Sequence, residues 1–130
     1  MYNLTISQRF QNLQYNGMIT SADAVGQVGS VSSGDIIKIY LRINNDVITE
    51  AKFKTFGSVY ALVASDIVCE FLKNCTLEDA KTIKSSEINQ AMGGLPENKL
   101  YIADLAQAVI TAAIDDYYKK LAKAKLNEKK

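Results

Sequence analysis

The strongest constraint in this chain is a pair of alternating runs separated by three turn-forming residues. Between Ile36 and Ile43 the odd positions Ile37, Ile39, Leu41 and Ile43 are all apolar, while the even positions include Lys38, Tyr40 and Arg42. A period of two marks a half-buried strand. Asn44-Asn45-Asp46 follows, and these residue types tolerate left-handed backbone, so the chain can double back. The odd positions Val47, Ala51 and Phe53 then repeat the pattern against Glu50, Lys52 and Lys54. The spacing predicts an antiparallel hairpin over 35–43 and 47–55. Gly57 breaks the second strand and Ser58 is a suitable cap for the helix that follows. A hairpin makes its two open ends neighbours, so Ser33-Gly34-Asp35 and Gly57-Ser58 meet in space.

The helix after Ser58 is apolar on most sides, with Asp66, Glu70 and Lys73 as its polar stripe. A helix that apolar is expected to lie between the sheet and another helix. Before the hairpin, Leu4 to Phe10 reads as a short docking helix and Ser21-Ala22-Asp23 as a turn. Ala24 to Val31 reads as an edge strand weakened or bulged by Gly26 and Gly29. After it, Thr76 caps a short helix with Glu78 and Asp79 at its positive end, and Ser85-Ser86-Glu87 opens another that stops at Gly93-Gly94. Leu95-Pro96 turns into a last helix over about 101–125, with Ile102, Leu105, Val109, Ala113, Tyr117 and Leu121 along one face. The lysines of the tail, Lys119, Lys120, Lys123, Lys125, Lys129 and Lys130, read as a solvated end or a docking patch.

Composition narrows the functions available. There is no histidine, which excludes Ser-His-Asp and Cys-His catalysis and the usual imidazole metal sites. No lysine stands in a motif that would activate a serine, so an enzyme is not expected. The two cysteines, Cys69 and Cys75, lie about 120° apart around a helix and form no CxxC motif; they read as small apolar fillers in a reducing compartment. A net charge of +1 gives no general pull towards nucleic acid or membrane. No apolar run is long enough to span a bilayer, and MYNLTISQRF lacks a basic head and apolar core, so a cytoplasmic protein is expected.

Taken together, the serine-Gly-Asp loop, the run EAKFKTFGS and the LP turn before the last helix resemble the iron–sulfur cluster assembly scaffold family, IscU and the N-terminal domain of NifU. The resemblance runs from about residue 12 to residue 117. It implies an α+β fold, a three-stranded antiparallel β-sheet with helices packed on one face. It also implies one NifU N-terminal-like domain over 1–130, with a core of about 12–117 and a lysine-rich tail of about 119–130. In the family the two loops read CGD and FKTxGC, and a His-Cys pair opens the last helix. The matching positions here are Ser33, Ser58, Tyr101 and Ile102, so of the site residues only Asp35 matches. The family's NPxNxG segment has lost its proline at Leu13. Leu95-Pro96-Glu97-Asn98-Lys99 keeps only the ends of the LPPVK run that chaperone-dependent scaffolds carry.

Serine hydroxyls and isoleucine are no substitute for the soft thiolates that hold an iron–sulfur cluster. No bound cluster, iron or zinc is therefore expected. The first functional reading is a non-enzymatic scaffold relative without cluster ligands, acting as adaptor or regulator towards cysteine desulfurase or another iron–sulfur assembly protein. The second is a small metal- or ligand-binding protein using Asp35 with Ser33, Ser58 and Tyr101. The third is a repurposed interaction module. The same positions also have plain structural readings: Gly34-Asp35 as a turn, Ser33 as a solvated loop residue, Ser58 as a cap, and Tyr101 as a ring laid over the loops. The sequence leaves the oligomeric state open.

Overall fold

The computed structural model describes residues 2–128; Met1, Lys129 and Lys130 lie outside the described residues. Helix α1 (Leu4–Phe10) precedes strands β1 (Ala24–Ser30), β2 (Asp35–Asn44) and β3 (Val47–Phe56). Helices α2 (Val59–Leu72), α3 (Leu77–Ala80), α4 (Ser85–Ala91) and α5 (Tyr101–Glu128) follow, with a single 3-10 turn at Glu97–Lys99. The strands form one antiparallel sheet in the order β1-β2-β3. Helices α2 and α5 pack on one face of it, so the expected α+β architecture is present.

The β2–β3 turn is built as the residue types require. Asn45 and Asp46 have φ of 51° and 61°, the left-handed pair of a tight hairpin turn. Ile37, Ile39, Leu41 and Ile43 face inward with Ala51 and Phe53 opposite them. The alternation departs from the sequence reading near the turn. Arg42 pairs with Glu50 but Ile43 pairs with Ile48, which leaves Thr49 as an extra residue on β3. That bulge shifts the phase by one position, so Ile48 enters the core and Val47 stays half-buried. Tyr40 is a second departure. It lies on the outer face with Lys38 and Arg42, yet it is buried. Gln27, Lys38 and Lys54 line one depression with it, and the Lys38 ammonium sits 5.3 Å from its ring centroid.

The polar stripe expected on α2 is also something else. Asp66 is fully buried. Its Oδ1 accepts the backbone N–H groups of Gln14 and Tyr15 at 2.8 and 2.9 Å, and its Oδ2 accepts Arg9 Nη1 at 2.9 Å. Arg9 Nη2 reaches Glu70 at 2.9 Å. One face of α2 therefore holds down α1 and the segment after it. That segment continues along β3: Phe53 N–H donates to Tyr15 C=O at 3.0 Å and Gly17 N–H to Phe53 C=O at 2.8 Å. At the other end of β3, Ile48 exchanges hydrogen bonds with Cys75 C=O and Asn74 N–H at 2.8 and 2.7 Å.

On β1, Gly29 has φ of +93°, but Gly26 does not need unusual backbone. A Cβ on Gly26 would lie 2.5 Å from Ala113 N and 2.8 Å from Val109 O, so Gly26 is where α5 touches the sheet backbone. Nearby, Asp116 accepts Val25 N–H at 2.8 Å and Lys120 Nζ at 2.8 Å. Helix α5 buries Ile102, Ala103, Ala106, Val109, Ile110, Ala113 and Ile114; from 115 onward none of its described residues is buried. Among the described residues no helix is long and apolar enough to cross a membrane.

Candidate functional site

Asp35 is the first residue of β2 and shares the inward phase of Ile37 and Ile39. A carboxylate on that face needs partners, because burying an ion without them is costly. Gly34 (φ +87°) and Gly57 (φ +137°) bend the two loops so that the N-terminus of α2 comes to it. A side chain on Gly57 would overlap Asp35 Oδ1, so the loop approaches the carboxylate more closely than any other residue allows. Ser58 caps α2, accepting Ala61 N–H at 3.3 Å. Asp35 Oδ1 accepts the Ser58 N–H at 3.0 Å and the Ser58 hydroxyl at 3.3 Å. From the first residue of α5, the Tyr101 hydroxyl donates to Asp35 Oδ2 at 2.8 Å. Asp35 is 3% exposed, and both its oxygens are engaged within the chain.

The structure thus brings Asp35, Ser58 and Tyr101 together although 66 residues separate Asp35 from Tyr101. Ser33 does not join them through its side chain. Its hydroxyl donates to the carbonyls of Ser30 and Asp35 at 2.9 and 3.3 Å and so closes the β1–β2 loop on itself. Ile102 is fully buried in the core. Sequence reasoning placed Tyr101 at this end as a covering ring, but missed its role as hydrogen-bond donor. No local signal orients the phenol towards the carboxylate, because the contact spans 66 residues.

Tyr101 is 42% exposed, with Lys99 Nζ 5.9 Å from its ring centroid. Its hydrogen bond to Asp35 pushes the phenol pKa above the usual tyrosine value, with burial and the Asp35 charge acting in the same direction. A raised folded pKa means that this contribution is complete below the unfolded value near 10 and is lost as pH rises through the folded one. Tyr101→Phe should therefore cost about 1 kcal/mol at neutral pH, a value reduced for solvent access. The cost should shrink as pH passes the tyrosine range. Urea unfolding of both proteins across that range checks it, and a pH-independent difference would contradict the assignment.

An iron–sulfur cluster does not fit the residues present. The site offers one carboxylate already accepting three hydrogen bonds, a capping hydroxyl and a phenol, with no thiol. Cys69 is buried, which pushes its thiol pKa well up, and it stands eleven residues along α2 from Ser58, roughly 16 Å. Cys75 lies beyond the end of that helix and is also pushed up by burial. Among the described residues no three His, Cys, Asp or Glu side chains converge to hold a metal ion.

Residues 1–124 match the family model of the NifU-like N terminal domain. The chain belongs to this family. The iron-sulfur cluster assembly scaffold protein IscU 1 of Archaeoglobus fulgidus is 37% identical over 123 residues, 95% of this chain and 80% of the relative. The iron-sulfur cluster assembly scaffold protein IscU of Rickettsia prowazekii is 44% identical over 96 residues, 73% of this chain and 72% of its own. Among solved structures, the N-terminal NifU-like protein of Brucella abortus superposes with a TM-score of 0.72 at 16% identity, covering 91% of this chain and 94% of its own. A putative scaffold protein for the SUF system from Fervidobacterium islandicum gives 0.70 at 17% identity, covering 87% and 96%. Both share the sheet-and-helix arrangement described above. This NifU-like chain places Asp35, Ser58 and Tyr101 where its strand, loop and helix termini meet.

Proposed function

We propose that this member of the NifU-like family is a degenerate, non-enzymatic scaffold that acts as an adaptor or regulator in iron–sulfur cluster assembly. The observation that carries the reading is the closed hydrogen-bond set at Asp35. The carboxylate is satisfied by Ser58 and Tyr101 and has no need of a cation. By family resemblance, Ser33, Ser58 and Ile102 stand where the cluster-ligand cysteines would be, and Tyr101 replaces the histidine. In this reading 1–130 is a single NifU N-terminal-like domain that binds cysteine desulfurase or another assembly protein in the cytoplasm without loading a cluster.

Anaerobic reconstitution with iron and sulfide under reducing conditions tests it. The unmodified protein should hold no [2Fe–2S] cluster, because stable clusters of this type need about four donors, mostly thiolates. The triple variant Ser33→Cys, Ser58→Cys, Ile102→Cys should gain visible absorbance. The gain should be weak, because position 102 is in the core and the Tyr101–Asp35 bond still closes the site. Stoichiometric cluster uptake by the unmodified protein would overturn the proposal.

A further inference from the structure

Helix α5 outlasts the body it packs on. Ile110 and Ile114 are buried, and Tyr117, Leu121 and Ala124 continue the same stripe at steps of three and four. Tyr117 is half-buried, but Leu121 is 37% exposed and Ala124 is exposed. Residues 117–128 thus extend α5 by roughly 18 Å with no described segment packed over the stripe. A helix of that length has little stability of its own in water. The stripe is narrow, occupying the a and d positions of a heptad, and Lys120 and Lys125 flank it on either side. A helix that lies on a bilayer needs a wider apolar face.

The net charge of +1 conceals a division. Residues 119–130 hold six of the 15 basic residues and one of the 14 acidic ones, so they carry +5 and the remainder −4. Acids stand where α5 leaves the body: Asp46 and Glu78 line a depression of about 390 Å³ with Leu77 and Tyr118. Lys81 Nζ serves Glu78 at 3.3 Å and lies 4.8 Å from the Tyr118 ring centroid. Among the described residues neither Asp46 nor Lys125 is in an ion pair. A lysine-bearing end and an acid-bearing root on one helix complement each other when two copies lie antiparallel. A parallel pair would set lysine end on lysine end.

We propose that residues 117–128 pair with the same segment of a second copy of this chain, as a short antiparallel coiled coil. Setting a against d places Leu121 across from Ala124 of the second copy, large against small, twice about the two-fold axis. Lys125 of the second copy then falls opposite Tyr118, at the mouth of the depression that holds Asp46. Lys120 falls opposite Asn127, so no lysine faces a lysine across the seam. The two Tyr101 ends stand about 65 Å apart along the helix axis. Both Asp35 sites are left free, so the test does not depend on whether they hold a cluster.

The test is sedimentation equilibrium of the full-length chain from micromolar to millimolar concentration. The mean mass should rise from 14.3 kDa towards twice that value. Two heptads bury less than the about 1,200–2,000 Å² of a stable interface, so the dissociation constant should be on the order of 100 μM. Leu121→Glu should leave the chain monomeric throughout. Lys125→Glu should weaken association about tenfold, through the loss of two cation–π contacts per dimer, and Lys125→Arg should match the parent. No described residue from 115 onward is buried, so all three variants should keep the parent's thermal midpoint at micromolar concentration. A chain that stays monomeric at millimolar concentration overturns the proposal. So does association that Leu121→Glu or Lys125→Glu leaves unchanged, which would put the contact elsewhere. Sedimentation of the monomer with phosphatidylserine vesicles, abolished by Leu121→Glu, would assign the stripe to a membrane and overturn it as well.

Discussion

Asp66→Ala is expected to lower the unfolding free energy by about 3 kcal/mol, the lower end of what breaking a buried ion pair costs. The carboxylate is fully buried and accepts two backbone N–H groups and one Arg9 nitrogen. Removing it leaves the Gln14 and Tyr15 amides unpartnered at a helix surface that excludes water. Arg9 keeps Glu70, which is half-exposed and holds it weakly. Against a typical total of about 5–15 kcal/mol, the loss is severe. Urea titration should show it as a lower midpoint at unchanged slope. Arg9→Ala should lose less, because its guanidinium is partly solvated. If Asp66→Ala unfolded within about 0.5 kcal/mol of the parent, the stripe would be the solvated face that helical spacing alone suggests.

Gly26→Ala should cost a similar amount, about 3 kcal/mol, at the upper end of overpacking penalties. The added methyl would meet backbone, Ala113 N and Val109 O, rather than the end of a flexible side chain. To accept it, α5 must lift from β1, which weakens the packing of Val109, Ala113 and the Asp116–Val25 hydrogen bond together. The same substitution in an ordinary strand would gain a few tenths of a kcal/mol through β-propensity and backbone entropy. The sign of the measured change therefore separates close approach from simple strand weakness. Thermal and urea unfolding of the single variant are sufficient.

These two residues mark the boundary of what the linear chain reveals. Alternation in 36–43 located β2, and residue chemistry at Asn45-Asp46, Ser58 and Thr76 located a turn and two caps, because those signals are local. The burial of Asp66 was not legible from its polar stripe, because helical spacing says which side chains share a face, not which segment lies on it. Gly26 looked like a flaw in a strand because its reason is a helix nearly ninety residues away. Val47 shares the odd apolar phase of Ala51 and Phe53 in the sequence but is only half-buried, because one inserted residue, Thr49, is invisible to a period count. At the site, Gly34, Asp35, Gly57 and Ser58 were legible from hairpin topology. Tyr101 reached them only through resemblance, and its donor role required coordinates.

The hydrogen bonds along β3 bear on how the protein can assemble. A free-standing three-stranded sheet has two unpaired margins and can grow from both. Here Tyr15–Gly17 occupies Phe53, and Asn74 and Cys75 occupy Ile48. Another strand cannot lie along β3 without displacing one or the other. Only the β1 margin remains, and there Asp116 already takes the Val25 N–H. Edge-to-edge pairing through this sheet therefore terminates at two copies, since a chain with a single joining margin cannot propagate a fibre.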